Sequence, residues 1–463
     1  MSGNARTMVI GWDAAPPALV FEQYRDVMPN LDRLVRQGIW GPLRSSDPPI
    51  TVPAWTSMLS SCNPGRLGFY GFRNRRPGDY ESKWIATGRS VKVDRVWDIL
   101  SRRGKRCCVI NVPQTFPVRP LNGALISCFL TPGNDSDYTY PRALKADVER
   151  VADGYIIDVE NFRTEDKQWL LEQIHRMTEK RFRVARYLLT EHGPWDFFMM
   201  VYMGPDRLQH GFWKYADPLH RKHEEGTGLE NCLRDYYALL DRQLGELCDL
   251  AGPGATVMVV SDHGAKRMDG SFQLNDWLMR EGFLTLKQAP DGPTKFAEAN
   301  VDWSRTTAWA WGGYYARIFL NVAGREPRGI VAPGDYESVR DDLIRRLQAV
   351  PDDRGRVMQN RVLRPQDLFT GPHVNEAPDL FVYFDDLYWR AGEDVGYESL
   401  YSFDTEIGPD DCNHDYDGIF TFTRPEDQRG QRVEGLQLMD VAPTILHELG
   451  VDIPPHMEGN RVD

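Results

Sequence analysis

The chain has 463 residues, enough to bury a large core or two. Its composition, 41% hydrophobic and 26% charged, is that of an ordinary globular enzyme. The formal charge of −12 argues against a nucleic-acid polymer as the main partner, because a phosphate backbone needs a basic field; a small phosphorylated substrate held by metals and a few local cations remains open.

The N-terminal stretch MSGNARTMVIGWD holds no long apolar run before the first strand-like segment, and no stretch is long and apolar enough to span a bilayer. Neither a signal peptide nor a membrane partner is expected. In chain order, Met8 to Trp12, Cys107 to Val112, Ala124 to Leu130, Phe197 to Met203 and Ala255 to Ser261 have the length and apolarity of buried strands. Helical patterns alternate with them: Leu31 to Gln37, stopping at Gly38; Val93 to Arg103, stopping at Gly104; Glu165 to Thr190; and Leu229 to Leu250, stopping at Gly252. This alternation predicts an α/β fold with a central, mostly parallel sheet and helices on both faces. From about Lys287 to Thr405 the chain is rich in Pro, Gly and Asp, with strand-like Arg317 to Asn321 and Asp379 to Phe384 and a helix near Tyr336 to Val350. Residues 287–404 are therefore expected to form an inserted elaboration that shapes the pocket, with 1–286 and 405–463 as the core. The core resumes with Gly418 to Phe422 and a last helix, Met439 to Leu449. The cysteines, Cys62, Cys107, Cys108, Cys128, Cys232, Cys248 and Cys412, are odd in number and scattered. They form no disulfide framework and no zinc-knuckle spacing, so a reduced, cytoplasmic setting is expected.

Three aspartates, Asp13, Asp206 and Asp262, stand at the carboxyl ends of apolar runs. In open α/β sheets ligands bind outside those ends, so strands distant in sequence can bring these carboxylates together. Alone, each is as well explained by a turn. Histidines strengthen the pattern. His263 follows Asp262, and both can face one ion if the backbone turns sharply at Gly264. His210 lies four residues after Asp206, on one face of a helical turn, and His414 immediately precedes a late strand. Imidazole with carboxylate suits zinc and also manganese. Thr51 lies in DPPITVPAWTSMLSS, where Pro53 fits the first turn of a helix and places Thr51 at its N-terminus. That end offers free N–H groups and partial positive charge, and a divalent ion would activate an otherwise poor nucleophile. A plain N-cap threonine is the alternative.

Together these segments resemble the alkaline phosphatase superfamily, in particular its type I phosphodiesterase/nucleotide pyrophosphatase branch and the cytosolic group of predicted phosphohydrolases or phosphomutases. GWDAAPP, SSDPPITVPAWTSMLSSCNPG, VINVPQTFPV, DRLQHGFWKYADP, VVSDHGA with NDWLMREGFL, and NHDYDGIF occur in the family's order over nearly the whole chain. The resemblance implies two divalent ions, zinc before manganese. One would be held by Asp206, His210 and His414, the other by Asp13, Asp262 and His263 together with the nucleophile Thr51. It further implies hydrolysis of a phosphoester through a phospho-threonine.

The sequence departs from the pattern in two places. The nucleophile segment ends SSCNPGRLG, with Leu67 where the family often has histidine, and the phosphoryl-binding asparagine of secreted relatives has no clear equivalent. Phe72 stands near that place and Asn74 two residues on; Arg73, Arg75, Arg76, Lys266 and Arg267 are the local cations that could substitute, although RNRR also reads as a solvated charge run. Cys62 to Arg66 fits the Cys-x-Pro-x-Arg pattern of sulfatases, but Cys62 falls at the far end of the helix that Thr51 opens. A phosphomonoesterase or phosphomutase of the same superfamily shares the metal set, and a non-catalytic binding protein would be expected to have lost ligands.

Overall fold

The computed structural model describes residues 5–80 and 82–463. Seven strands carry the site: β1 (Arg6–Trp12), β2 (Ile39–Arg44), β3 (Cys107–Ile110), β4 (Gly123–Ile126), β5 (Phe197–Tyr202), β6 (Ala255–Val260) and β7 (Asp417–Thr423). They lie side by side in the order β2–β7–β6–β1–β5–β3–β4. Short strands Gln431–Arg432 and Leu436–Gln437 pair with β2, and Thr139–Tyr140 borders β4. Among the described residues of this sheet, only β7 and Thr139–Tyr140 run against the rest. The fold is thus α/β with a large, mostly parallel sheet.

Strand alternation divides the core. Met8, Ile10 and Trp12 pack with helices Pro29–Gln37, Lys167–Glu191, Gly204–Ala216 and Cys232–Ala251 on one face. Val9 packs with helices Thr51–Ser60, Val96–Arg102 and Val441–Glu448 on the other. With both faces covered, β1, β5 and β6 can be near-continuous apolar runs, and each fully buried Val, Ile or Phe contributes roughly 1.5–3 kcal/mol. A third apolar cluster, from Phe272 to Val395, is built around the antiparallel sheet of Ala308–Trp311, Ala316–Leu320, Leu380–Tyr383 and Arg361–Leu363.

Two local expectations change. The run Ala124 to Leu130 stops being strand at Ile126, because the chain turns there and Ser127 N–H donates to the Tyr138 carbonyl. Gly252 ends its helix in the left-handed region at φ 82°, as expected, but Gly38 is extended. It is needed for a close approach: a Cβ there would lie 2.1 Å from the Phe422 carbonyl oxygen.

The carboxyl edge of the parallel strands collects the chemistry. β1 delivers Asp13, β6 delivers Asp262 and His263, and β5 leads into the helix that carries Asp206 and His210. β2 leads to Thr51. Because β7 is antiparallel, its amino end reaches the same edge, which brings in His414 from strand Cys412–Asp415.

Candidate metal centre

Six of the seven ligand-type residues form two triplets whose ligand atoms lie within 4.8 Å of one another: Asp206, His210 and His414, and Asp13, Asp262 and His263. All six are at most 3% exposed. The triplets adjoin, since the rings of His263 and His414 stack with centroids 3.9 Å apart. Thr51 is the first residue of helix Thr51–Ser60 and completes the set, with Oγ1 3.3 Å from His263 Nε2.

Each imidazole has its Nδ1 occupied. His263 Nδ1 donates to the Gly264 carbonyl at 2.8 Å, His414 Nδ1 to the Pro49 carbonyl at 2.9 Å, and His210 Nδ1 to Asp410 Oδ1 at 2.7 Å. A carbonyl can only accept, so Nδ1 carries the proton in the first two and Nε2 keeps its lone pair. In both triplets it is Nε2 that faces the carboxylates: His210 Nε2 is 3.3 Å and His414 Nε2 3.9 Å from Asp206 Oδ1, and His263 Nε2 is 3.2 Å from Asp262 Oδ2. Orientation of a metal-binding histidine through its other nitrogen is the usual arrangement at such sites.

The carboxylates show what the arrangement needs. Asp13 Oδ2 accepts from Trp55 Nε1 at 2.7 Å and Asp262 Oδ1 from the Ala14 amide at 3.3 Å, while Asp13 Oδ1 and Asp262 Oδ2 are buried without a hydrogen-bond partner. Two orphaned carboxylate oxygens beside an imidazole lone pair fit a cation and little else. Burial, reinforced by Asp206 for Asp13 and by Asp13 for Asp262, pushes both pKa values well above the ordinary range. Burial also lowers His263 to about 4 and holds His414 well below its usual value, so both stay neutral. Asp206 differs: burial would raise it, but His210 and Arg207 hold it well below the carboxylate range.

Several features were not legible beforehand. Gly264 does not make the turn that lets Asp262 and His263 converge. It opens strand Gly264–Arg267, and a Cβ there would lie 2.3 Å from the Asp417 carbonyl oxygen. The left-handed residue is Ala14, at φ 61°, whose amide reaches Asp262. Tyr314 stacks on His414 and His210, with centroids 4.3 and 5.0 Å away, and its hydroxyl donates to Asp410 Oδ2 at 3.0 Å. Arg163 pairs with the same Asp410 oxygen at 3.1 Å. Trp55 could have been anticipated from its place four residues after Thr51; Asp410 and Tyr314 carry no local signal.

The five candidate substrate residues lie outside the two triplets. Phe72 is half-buried and packs on Phe129, whose ring lies 5.6 Å from the Arg207 guanidinium. Asn74 spends its amide on its own turn, accepting from Tyr70 N and donating to Gly71 O, and Arg73 is exposed. Lys266 pairs with Asp415 at 2.9 Å and Arg267 with Asp269 at 3.0 Å. Cys62 is fully buried and donates to Ser60 O, while Asn63 and Pro64 cap and open the next short helix.

A search of curated proteins finds no match. Among solved structures, murine ectonucleotide pyrophosphatase/phosphodiesterase 5 superposes with a TM-score of 0.58 at 13% identity, covering 98% of this chain and 97% of that one. The same enzyme has also been solved in an inactive form in complex with AMP, with the same similarity. Phosphonoacetate hydrolase from Sinorhizobium meliloti, in complex with phosphonoformate, superposes with a TM-score of 0.58 at 15% identity, over 97% and 96% of the two chains. These likenesses establish the alkaline phosphatase-like fold. The family described as type I phosphodiesterase/nucleotide pyrophosphatase matches residues 7–410, a span that takes in every ligand-type residue except His414. With that match extending over most of its length, the chain belongs to the type I phosphodiesterase/nucleotide pyrophosphatase family of the alkaline phosphatase superfamily.

Proposed function

We propose that this phosphoester hydrolase uses two divalent ions and the nucleophile Thr51 to cleave a phosphodiester or phosphoanhydride bond in a small phosphorylated metabolite or nucleotide. Family membership supports the reaction class. The observation that carries the finer reading is Thr51 Oγ1, at a helix N-terminus and 3.3 Å from His263 Nε2, beside the orphaned oxygens of Asp13 and Asp262.

Bound at Asp206/His210/His414 and at Asp13/Asp262/His263, the ions supply Lewis-acid stabilisation of phosphoryl charge and ease ionisation of the Thr51 hydroxyl. The imidazole and carboxylate donors favour zinc and accept manganese. Thr51 Oγ1 attacks phosphorus as its proton passes to solvent, the bond from phosphorus to the leaving oxygen breaks and that oxygen takes up a proton, leaving the phosphoryl group with its remaining substituent on Thr51. Water then hydrolyses the phospho-threonine and restores the hydroxyl. The free N–H groups of the first turn of helix Thr51–Ser60 receive the phosphoryl oxygens. Residues 287–404 shape the pocket in this reading, supported by Tyr314, which covers His210 and His414. Phe72 and Phe129 supply an apolar wall. An inactive form of a structural neighbour is in complex with AMP, which makes nucleotides the first compounds to try.

The test is metal analysis of the purified protein joined to a panel of nucleotides, dinucleotides, aryl phosphomonoesters, aryl phosphodiesters and aryl sulfates. Diester or anhydride turnover should exceed sulfate turnover, vanish on chelation and return with zinc or manganese. Full activity after exhaustive chelation would overturn the reading, as would a preference for sulfate esters.

A further inference from the structure

Arg207 follows Asp206 on helix Gly204–Ala216 and is only 8% exposed. Its guanidinium is used on three sides. Nη1 donates to Asp206 Oδ2 at 2.5 Å, while Nε and Nη2 grip Asp158 at 3.2 and 2.7 Å. The ring of Phe162 lies 4.3 Å from Cζ, and Phe129 stands 5.6 Å away. Asp158, Phe162 and Phe129 come from parts of the chain remote in sequence from Arg207, so the fork is fixed from outside its own helix. The contrast between the triplets follows from this. Asp13 and Asp262 each leave one buried oxygen without a partner, whereas Asp206 has Oδ2 occupied by Arg207 and only Oδ1 turned toward His210 Nε2 and His414 Nε2.

We propose that Arg207, itself fixed by Asp158 and Phe162, is a positioning residue that reserves one oxygen of Asp206 and aims the other at the ion shared with His210 and His414. The inference rests on the two-ion reading above. Lysine cannot replace it. An ammonium is a point donor on a flexible stem, without the planar fork that grips Asp158 and reaches Asp206 together, and without the flat face against Phe162. Asp158 is 20% exposed and bridges to Asp206 only through Arg207, so its effect on the ion must pass through that side chain.

The test compares full-length wild type, Arg207→Lys and Asp158→Asn by titrating metal-free protein with zinc or manganese against a chromophoric chelator, with thermal unfolding of each metal-free protein alongside. In Arg207→Lys, one of the two ions should bind ~10- to 100-fold more weakly, the range for losing a partner that orients a ligand, while the other binds as in wild type. Saturating metal should bring kcat back to within a few-fold with KM little changed. Asp158→Asn should shift the same ion in the same direction, and the double variant should be no weaker than the worse single one. A purely structural tie between residues 153–166 and the core would lower the melting temperature and leave both metal affinities unchanged, and that result overturns the inference alone. If Arg207→Lys does not fold, unchanged affinities in Asp158→Asn overturn it equally. A folded wild type that takes up no ion would sink both this inference and the reading beneath it.

Discussion

Trp55 Nε1 donates to Asp13 Oδ2 across 2.7 Å, and Trp55 stands one helical turn after Thr51. The helix that Thr51 opens therefore holds a candidate metal ligand in place. The indole is fully buried and closely abuts Gly11, where an added Cβ would lie 2.4 Å from the ring. Trp55→Phe keeps most of the apolar bulk and deletes the donor. The expected result is a folded protein about 1–3 kcal/mol less stable without metal, with ~10-fold or greater weakening of one ion. Urea unfolding and chelator competition measure the two effects separately. Wild-type metal affinity in this variant would mean that the indole only packs.

On the proposed mechanism, Thr51→Ala removes the attacking oxygen and leaves all six aspartate and histidine candidates for the ions in place. Fold and metal content should persist while turnover falls by roughly three orders of magnitude or more, as for loss of a covalent nucleophile. Thr51→Ser should recover part of the rate, since the hydroxyl stays and only the methyl that restricts χ1 is lost. Mass spectrometry of acid-quenched wild type should find the phosphoryl group on Thr51. Near wild-type turnover by Thr51→Ala would assign the attack to water.

Cys62 separates the sulfatase-like motif from the chemistry. It is fully buried just past the far end of the helix that Thr51 opens, and burial, aided by Glu458, pushes its thiol up to about 11. Such a thiol is inert at neutral pH. Cys62→Ala should retain most phosphoester hydrolysis, and Cys62 in the native protein should resist alkylation at about pH 8 while the unfolded chain is labelled, since a free thiol ionises near 8.5. Loss of turnover in Cys62→Ala alongside an active Thr51→Ala would reverse the assignment of the nucleophile.

His220 supplies an acid-sensitive joint outside the two triplets. Its Nδ1 accepts from the Lys222 amide at 3.0 Å and its Nε2 donates to the Asp411 carbonyl at 3.0 Å, so the buried ring must be neutral. Burial lowers its pKa to about 4. The unfolded chain then binds a proton that the folded chain refuses, so stability falls as pH drops from about 6.5 toward 4, by up to roughly 3 kcal/mol. Chemical denaturation at neutral and mildly acidic pH should show a steeper loss for wild type than for His220→Gln. Equal slopes would dismiss this role.

The sequence by itself carried the parallel sheet, because strands buried on both faces read as short continuous apolar runs, and MVIGW, FFMMVYM and ATVMVV have that length and alternate with helical patterns. It also carried the seven ligand-type residues, since Asp13, Asp206 and Asp262 each follow such a run and Thr51 opens a helix with Pro53 in its first turn. These are local facts, fixed by neighbours in the chain. What surrounds them is not local. That His414 belongs with Asp206 depends on β7 running against its neighbours, a pairing made across the sheet. Gly264 offered a turn on paper, yet it lies in a strand paired with Cys412–Asp415 and leaves no room for a Cβ beside the Asp417 carbonyl, while the left-handed residue at this edge is Ala14. Asn74 and Lys266 looked free to meet a phosphate, but a side chain's partners are chosen by whatever packs beside it: a turn for Asn74, Asp415 for Lys266. The ligand-type residues were written in the sequence, while the groups that aim them were decided by tertiary packing: Trp55 on Asp13 and Asp410 on His210 act across 42 and 200 positions, and Arg207, although next to Asp206 in the chain, is fixed by Asp158 from 49 positions away, so none leaves a periodicity to read.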